Sequence, residues 1–128
     1  MQSISTKTAP AAIGPYSQAV RTSGVVYLSG QIALDPGTGS MVQGSIAAET
    51  ERVMDNLAEV LRAAGLTFDH VVKTTIYLVD FKDFEAINEA YGRRFTRVLP
   101  ARATVQVAAL PRGARVEIDA IAVTPQLP

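Results

Sequence analysis

Arg102 is the one charged side chain in the small-residue and apolar run Pro100 to Pro111 (PARATVQVAALP), and the run Val116 to Val123 (VEIDAIAV) returns two acids, Glu117 and Asp119. An arginine fork grips a carboxylate through two parallel hydrogen bonds, and a half-buried carboxylate can take or return a proton near neutral pH. Together they suit chemistry on a small organic acid. In an extended chain alternate residues share a face. Arg102, Thr104 and Gln106 therefore oppose Ala103, Val105, Val107 and Ala109, while Glu117 and Asp119 oppose Val116, Ile118, Ala120 and Ala122. A turn at Leu110 to Ala114 that makes the strands antiparallel neighbours would bring the arginine within a few residues of the acids. The competing reading of the same spacing is a surface ladder of ion pairs.

Composition narrows the remaining chemistry. Lys plus Arg and Asp plus Glu both number 12 in 128 residues, so the formal net charge is zero. No long-range field then draws the chain to nucleic acid or to an anionic membrane. The absence of cysteine removes disulfides, thiolate metal sites and thiol nucleophiles, and one histidine is too few for a histidine metal centre. No apolar run approaches the roughly 20 residues that span a bilayer, and MQSISTKTAP lacks the apolar stretch of a signal peptide. The expectation is a single cytoplasmic domain over residues 1–128, with no metal, no nucleic-acid partner and no membrane.

These residues need a scaffold. Tyr16 to Arg21 and Val25 to Gln31 read as a hairpin about Thr22-Ser23-Gly24, and counting outward from Ser23 sets Tyr16 opposite Gly30. Ser45 caps a predicted helix to about Ala64, with Ile46, Thr50, Val53, Leu57 and Leu61 on one stripe and Gly65 as the stop. The Glu51, Asp55 and Glu59 row beside that stripe reads as a solvated face. Val71 to Leu78, β-branched on both faces, reads as an interior strand. A second helix is expected from Asp80 to about Phe95, burying Phe84, Ile87, Tyr91 and Phe95 and carrying Asn88 on the same stripe. The element order is α+β, with helices on one sheet face and the other face left for a second subunit.

Gly30 inside a strand marks a bulge or a close approach to the backbone, and Tyr16 would offer a wall and a hydroxyl to the same space. Glu117 is the best candidate to activate water: burial would raise its pKa and a nearby Arg102 would oppose that rise. Lys73 could form a Schiff base if desolvated, against the alternative of an ordinary surface lysine. Asn88 must find partners on its stripe.

The motifs IGPYSQAV (Ile13 to Val20), YLSGQI (Tyr27 to Ile32), VVKTTIYLVD (Val71 to Asp80), PARATVQVAALP and VEIDAIAV, in that order, resemble the RidA/YjgF family of reactive-intermediate deaminases. That resemblance implies chorismate-mutase-like subunits with a mixed sheet, assembled as a homotrimer with clefts at the interfaces. It implies an imine/enamine deaminase that hydrolyses 2-imino acids (2-aminoacrylate/2-iminopropanoate, 2-iminobutanoate) to 2-keto acids and ammonia without a cofactor. Carried onto this chain, it makes Arg102 the carboxylate anchor and Glu117, not Asp119, the water-positioning acid. Tyr16, Gly30 and the Thr104 backbone then face the substrate, with Asn88 a further substrate-binding candidate. Many relatives have cysteine where this chain has Thr104, and the segment 95–100 is shorter than in some members. The rival functions are a single-strand endoribonuclease or translation inhibitor, and a non-catalytic trimer that binds small carboxylates.

Overall fold

The computed structural model describes residues 1–125. Six strands form one mixed sheet: β1 (Gln2–Ile4), β2 (Ala19–Thr22), β3 (Val25–Gln31), β4 (Val71–Leu78), β5 (Ala101–Gln106) and β6 (Val116–Val123), in the spatial order β1-β2-β3-β6-β4-β5. Helices α1 (Ile46–Ala63) and α2 (Phe84–Gly92) complete the fold, with short 3-10 turns at Phe68–His70, Phe81–Asp83 and Pro111–Gly113. The α+β order and the mixed sheet match the expectation. The three-residue edge strand β1 was not foreseen.

Local chemistry sets the element ends. The Ser45 hydroxyl accepts the Ala48 amide at the start of α1, and Gly65 follows the C-cap Ala64 at φ +76°, a conformation glycine adopts at no steric cost. Val53, Leu57, Val60 and Leu61 of α1 are buried against β3 and β6, together with Ile76, Leu78, Val116, Ile118 and Ala122. Burying each large aliphatic contributes about 1.5–3 kcal/mol. Glu51 and Asp55 face Arg94, and Glu59 pairs with Arg62, so the acidic row is a solvated face.

Three expectations need correction. The hairpin turns at Ser23 and Gly24, both at positive φ, pairing Ala19 with Leu28 and Arg21 with Val26. The register is thus one residue from that counted about Ser23, and Tyr16 lies before β2 rather than opposite Gly30. The second helix is shorter than expected. Asp80 caps only the 3-10 turn, and regular helix runs from Phe84 to Gly92.

The third correction is topological. β5 and β6 are not neighbours, because β4 lies between them, parallel to β5 and antiparallel to β6. β4, α2 and β5 make a strand-helix-parallel strand unit, which seats β5 at the sheet edge. The apolar β6 enters the interior between β3 and β4, where Val116, Ile118, Ala120 and Ala122 are buried on the helix side.

Candidate active site

Register decides which face each polar side chain takes. Arg102 pairs with Thr74, whose hydroxyl lies 2.7 Å from the Tyr91 hydroxyl of α2, so Arg102 belongs to the helix-covered face. Its guanidinium sits 5.2 Å from the Tyr91 ring centroid and 5.8 Å from that of Phe84, and Nη1 donates to Asn88 Oδ1 at 2.7 Å. The ring faces and the amide hold the cation at the exposed edge of the sheet. Asn88 is exposed, not buried on the α2 stripe, because Arg102 at the open edge is its partner. Thr104 follows Arg102 on this face, and its hydroxyl is buried without a hydrogen-bond partner among the described residues.

Glu117 pairs with Tyr77 and points to the opposite, uncovered face. The expected approach of Arg102 to Glu117 is therefore absent within one chain: β4 separates them, and their side chains leave the sheet on opposite sides. Burial pushes the Glu117 carboxyl above its ordinary value, and the negative charge of Asp119 adds to the rise. The expected opposing influence of Arg102 does not operate within the chain. Lys73 lies half-exposed on the same uncovered face as Tyr77, with nothing around it to mark it as a nucleophile.

A cleft of about 430 Å³ opens over Glu117, bordered by Tyr16, Ser29, Gly30, Ile32 and Arg112. Its floor depends on a bulge. Between the pairs Leu28–Ala120 and Gln31–Ile118, β3 has two residues, Ser29 and Gly30, against one on β6. A Cβ at Gly30 would overlap Glu117 Oε2 and stand 2.9 Å from its Cδ. The glycine thus makes room for the acid as much as for any ligand.

One wall is built by Gln18, which is buried. Its Nε2 donates to Pro10 O at 2.7 Å and Thr6 O at 3.1 Å, and its Oε1 accepts the Thr6 amide at 2.7 Å, fixing the segment that leads to Tyr16. The Ser29 hydroxyl donates to Ser17 O at 2.6 Å. Across the cleft, the buried Asn56 of α1 donates to Ile32 O and Leu34 O at 3.1 and 2.9 Å. Each amide saturates backbone groups that would otherwise be unpaired in the interior.

Tyr16, Gly30 and Glu117 are thus brought together, while Arg102, Asn88 and Thr104 form a second group on the other face. Sequence reasoning missed Arg112, at φ +57° on the connection before β6, and the wall-building Gln18 and Asn56. Asn56 carried a signal: an amide beside the apolar stripe of a capped helix.

The protein is an α+β domain whose six-stranded mixed sheet carries a cleft over the half-buried Glu117. The family model described as Endoribonuclease L-PSP matches residues 6–124, and the chain belongs to that family, RidA/YjgF. It is 60% identical to Protein DfrA of Myxococcus xanthus over 125 residues, covering 96% of this chain and 95% of that protein. It is 57% identical to the 2-iminobutanoate/2-iminopropanoate deaminase of Mus musculus over 120 residues, 94% of this chain and 89% of that one. Among solved structures, E. coli TdcF with bound serine superposes with a TM-score of 0.94 at 38% identity, covering 98% of this chain and all of that one.

Proposed function

We propose that the protein is an imine/enamine deaminase that hydrolyses 2-imino acids to 2-keto acids and ammonia. The observation that carries the reading is Glu117: a half-buried carboxyl, raised above its ordinary pKa, on the floor of a cleft and against a glycine that leaves it space. The deaminase names of relatives at 50–57% identity support the same activity.

In the proposed reaction the Glu117 carboxylate takes a proton from water as the water oxygen bonds to the imine carbon. That proton passes to the nitrogen to give the tetrahedral carbinolamine. Glu117 then takes the adduct's hydroxyl proton and delivers it to the nitrogen as the C–N bond breaks, so that ammonia leaves and the keto group forms. The imine carbon is already electrophilic, so positioning and general base help of about 10²–10⁴-fold suffice without a cofactor. Arg102 anchors the substrate carboxylate, Asn88 orients that guanidinium and neighbours the substrate, Tyr16 walls the pocket, and Gly30 and the Thr104 backbone line it.

Arg102 and Glu117 leave the sheet on opposite sides, so a complete site combines the Arg102 edge of one copy with the Glu117 cleft of another. This favours the homotrimer, whose contacts would also cover the open sheet face, where Tyr27, Val105 and Val123 are exposed. Light scattering should give about three times the 13.6 kDa chain mass. A 13.6 kDa species at micromolar concentration would remove this assembly and with it the shared site. We place the enzyme in the cytoplasm, as one domain over residues 1–128.

Ammonia release from freshly generated 2-aminoacrylate, with and without protein, tests the activity itself; an unchanged rate rejects it. The description of the family model keeps an endoribonuclease reading in view. Zero net charge and a single histidine, whose Nδ1 accepts the Thr67 amide in a capping box, give that reading little chemistry. Single-stranded RNA should not bind at physiological salt. Sub-micromolar RNA binding would reverse the ranking.

A further inference from the structure

The uncovered sheet face carries a second carboxylate that the proposed reaction does not use. Glu117 and Asp119 are two residues apart on β6 and share this face. On β4, Tyr77 stands opposite Glu117 and Thr75 opposite Asp119. Tyr77 does not keep to its own pair: its hydroxyl crosses diagonally and donates to Asp119 Oδ2 at 3.1 Å. The four side chains form a square in which the tyrosine ties the non-reacting acid to the level of the reacting one.

We propose that Asp119, fixed by the Tyr77 hydroxyl, is a positioning residue that sets the proton affinity of Glu117 by holding a second negative charge on the same strand face. This rests on Glu117 being the base. Asp119 adds to the rise at Glu117, after burial; at Tyr77 burial first, and then the charge of Asp119 and the hydrogen bond to it, hold the hydroxyl protonated. A tyrosine kept protonated is a permanent donor, so the tether persists throughout the working pH range.

Other charged or titratable groups face this region. Lys73 stands further along β4, Tyr27 is on the β3 side, Arg112 comes from the connection before β6, and Tyr16 from the segment before β2. None of them is among the causes of the rise at Glu117. Asp119 is therefore the neighbour whose removal should be felt.

The sign follows from electrostatics. A base works as its anion, and a nearby negative charge makes that anion harder to form, so it moves the acidic limb of the rate profile to higher pH. Asp119→Asn removes the charge and keeps the shape. The acidic limb of kcat/KM for imine hydrolysis should then move to lower pH. Tyr77→Phe, which frees the carboxylate without removing it, should move the limb the same way by less. Asp119→Glu, which restores the charge, should return it towards the parent.

A limb that stays in place or moves upward in Asp119→Asn, with the oligomer intact by light scattering, overturns the inference. It leaves the role of Glu117 untouched. Full turnover in Glu117→Gln would instead remove the base itself, so the two failures are distinguishable.

Discussion

The two faces of strand β4 lead to different halves of the proposed site. On the helix-covered side, Thr74 reaches Tyr91, and the Tyr91 and Phe84 rings with Asn88 hold the Arg102 cation at the sheet edge. On the uncovered side, Tyr77 reaches Asp119, and the β3 bulge at Gly30 admits the Glu117 carboxyl. The arginine stays solvated, where its charge costs little. The acid is half-buried, where its proton is harder to lose. In the proposed reaction the first half binds and the second moves a proton, and the proposed assembly would bring the two together from different copies.

The sharpest way to break this contrast is to disable each half separately. Glu117→Gln keeps the shape of the acid but accepts no proton, so turnover should fall by about 10²–10⁴-fold while calorimetry still finds 2-keto acids such as pyruvate bound nearly as in the parent. Arg102→Lys keeps a charge and loses the planar fork, removing charge-assisted hydrogen bonds of about 1.5–3 kcal/mol each. Binding and turnover should then fall together, by at least about tenfold. Normal keto-acid binding in Arg102→Lys, or full hydrolysis in Glu117→Gln, would return both residues to a purely structural role.

Whether the halves come from different copies is read by mixing. Unfolding and refolding the two inactive variants together should restore about a quarter of the parental activity, since random assembly gives that share of sites an intact arginine and an intact glutamate from neighbouring copies. If both residues of a site came from one chain, the mixture would stay as inactive as its parts.

A smaller effect tests the cradle. Gly30→Ala places a methyl group into Glu117 Oε2, so the acid must swing away; turnover should drop about tenfold while keto-acid binding changes less. Unaltered kinetics would show that the close approach is incidental.

The smallest effect is on stability. Because the folded-state pKa of Glu117 is raised, the unfolded chain loses this proton first as pH climbs above 4.5. Stability associated with the group is then present at low pH and declines as pH rises through the folded value. Glu117→Gln removes that decline and should raise Tm at neutral pH by an amount of the order of 1 °C, leaving Tm unchanged near pH 4. A lower Tm at neutral pH would mean that the carboxylate has a stabilising partner.

Much of this architecture follows from the sequence alone. Ser45 and Gly65 bound α1, because a hydroxyl cap and a left-handed glycine act within one turn of chain. The alternation of β6 separates Glu117 and Asp119 from the apolar residues that pack under α1, and the motifs at Ile13 to Val20, Val71 to Asp80 and Pro100 to Pro111 are enough to suggest the family. These are short-range signals, written in periodicity and in residue type.

What alternation cannot supply is which face of one strand matches which face of another. Arg102 and Glu117 each lie on a polar face in sequence, yet whether those faces coincide depends on strand order. The parallel pairing of β5 with β4 leaves the other edge of β5 free, and it is the pairing of β6 with the far edge of β4 that denies β5 and β6 a hairpin. The insertion of β6 between β3 and β4, the bulge that lets Gly30 meet Glu117, and the diagonal reach of Tyr77 to Asp119 all join residues far apart in the chain. Only tertiary packing decided these, because flanking β6 with a strand on each edge while α1 covers its apolar face is a property of the whole fold and not of any segment in it.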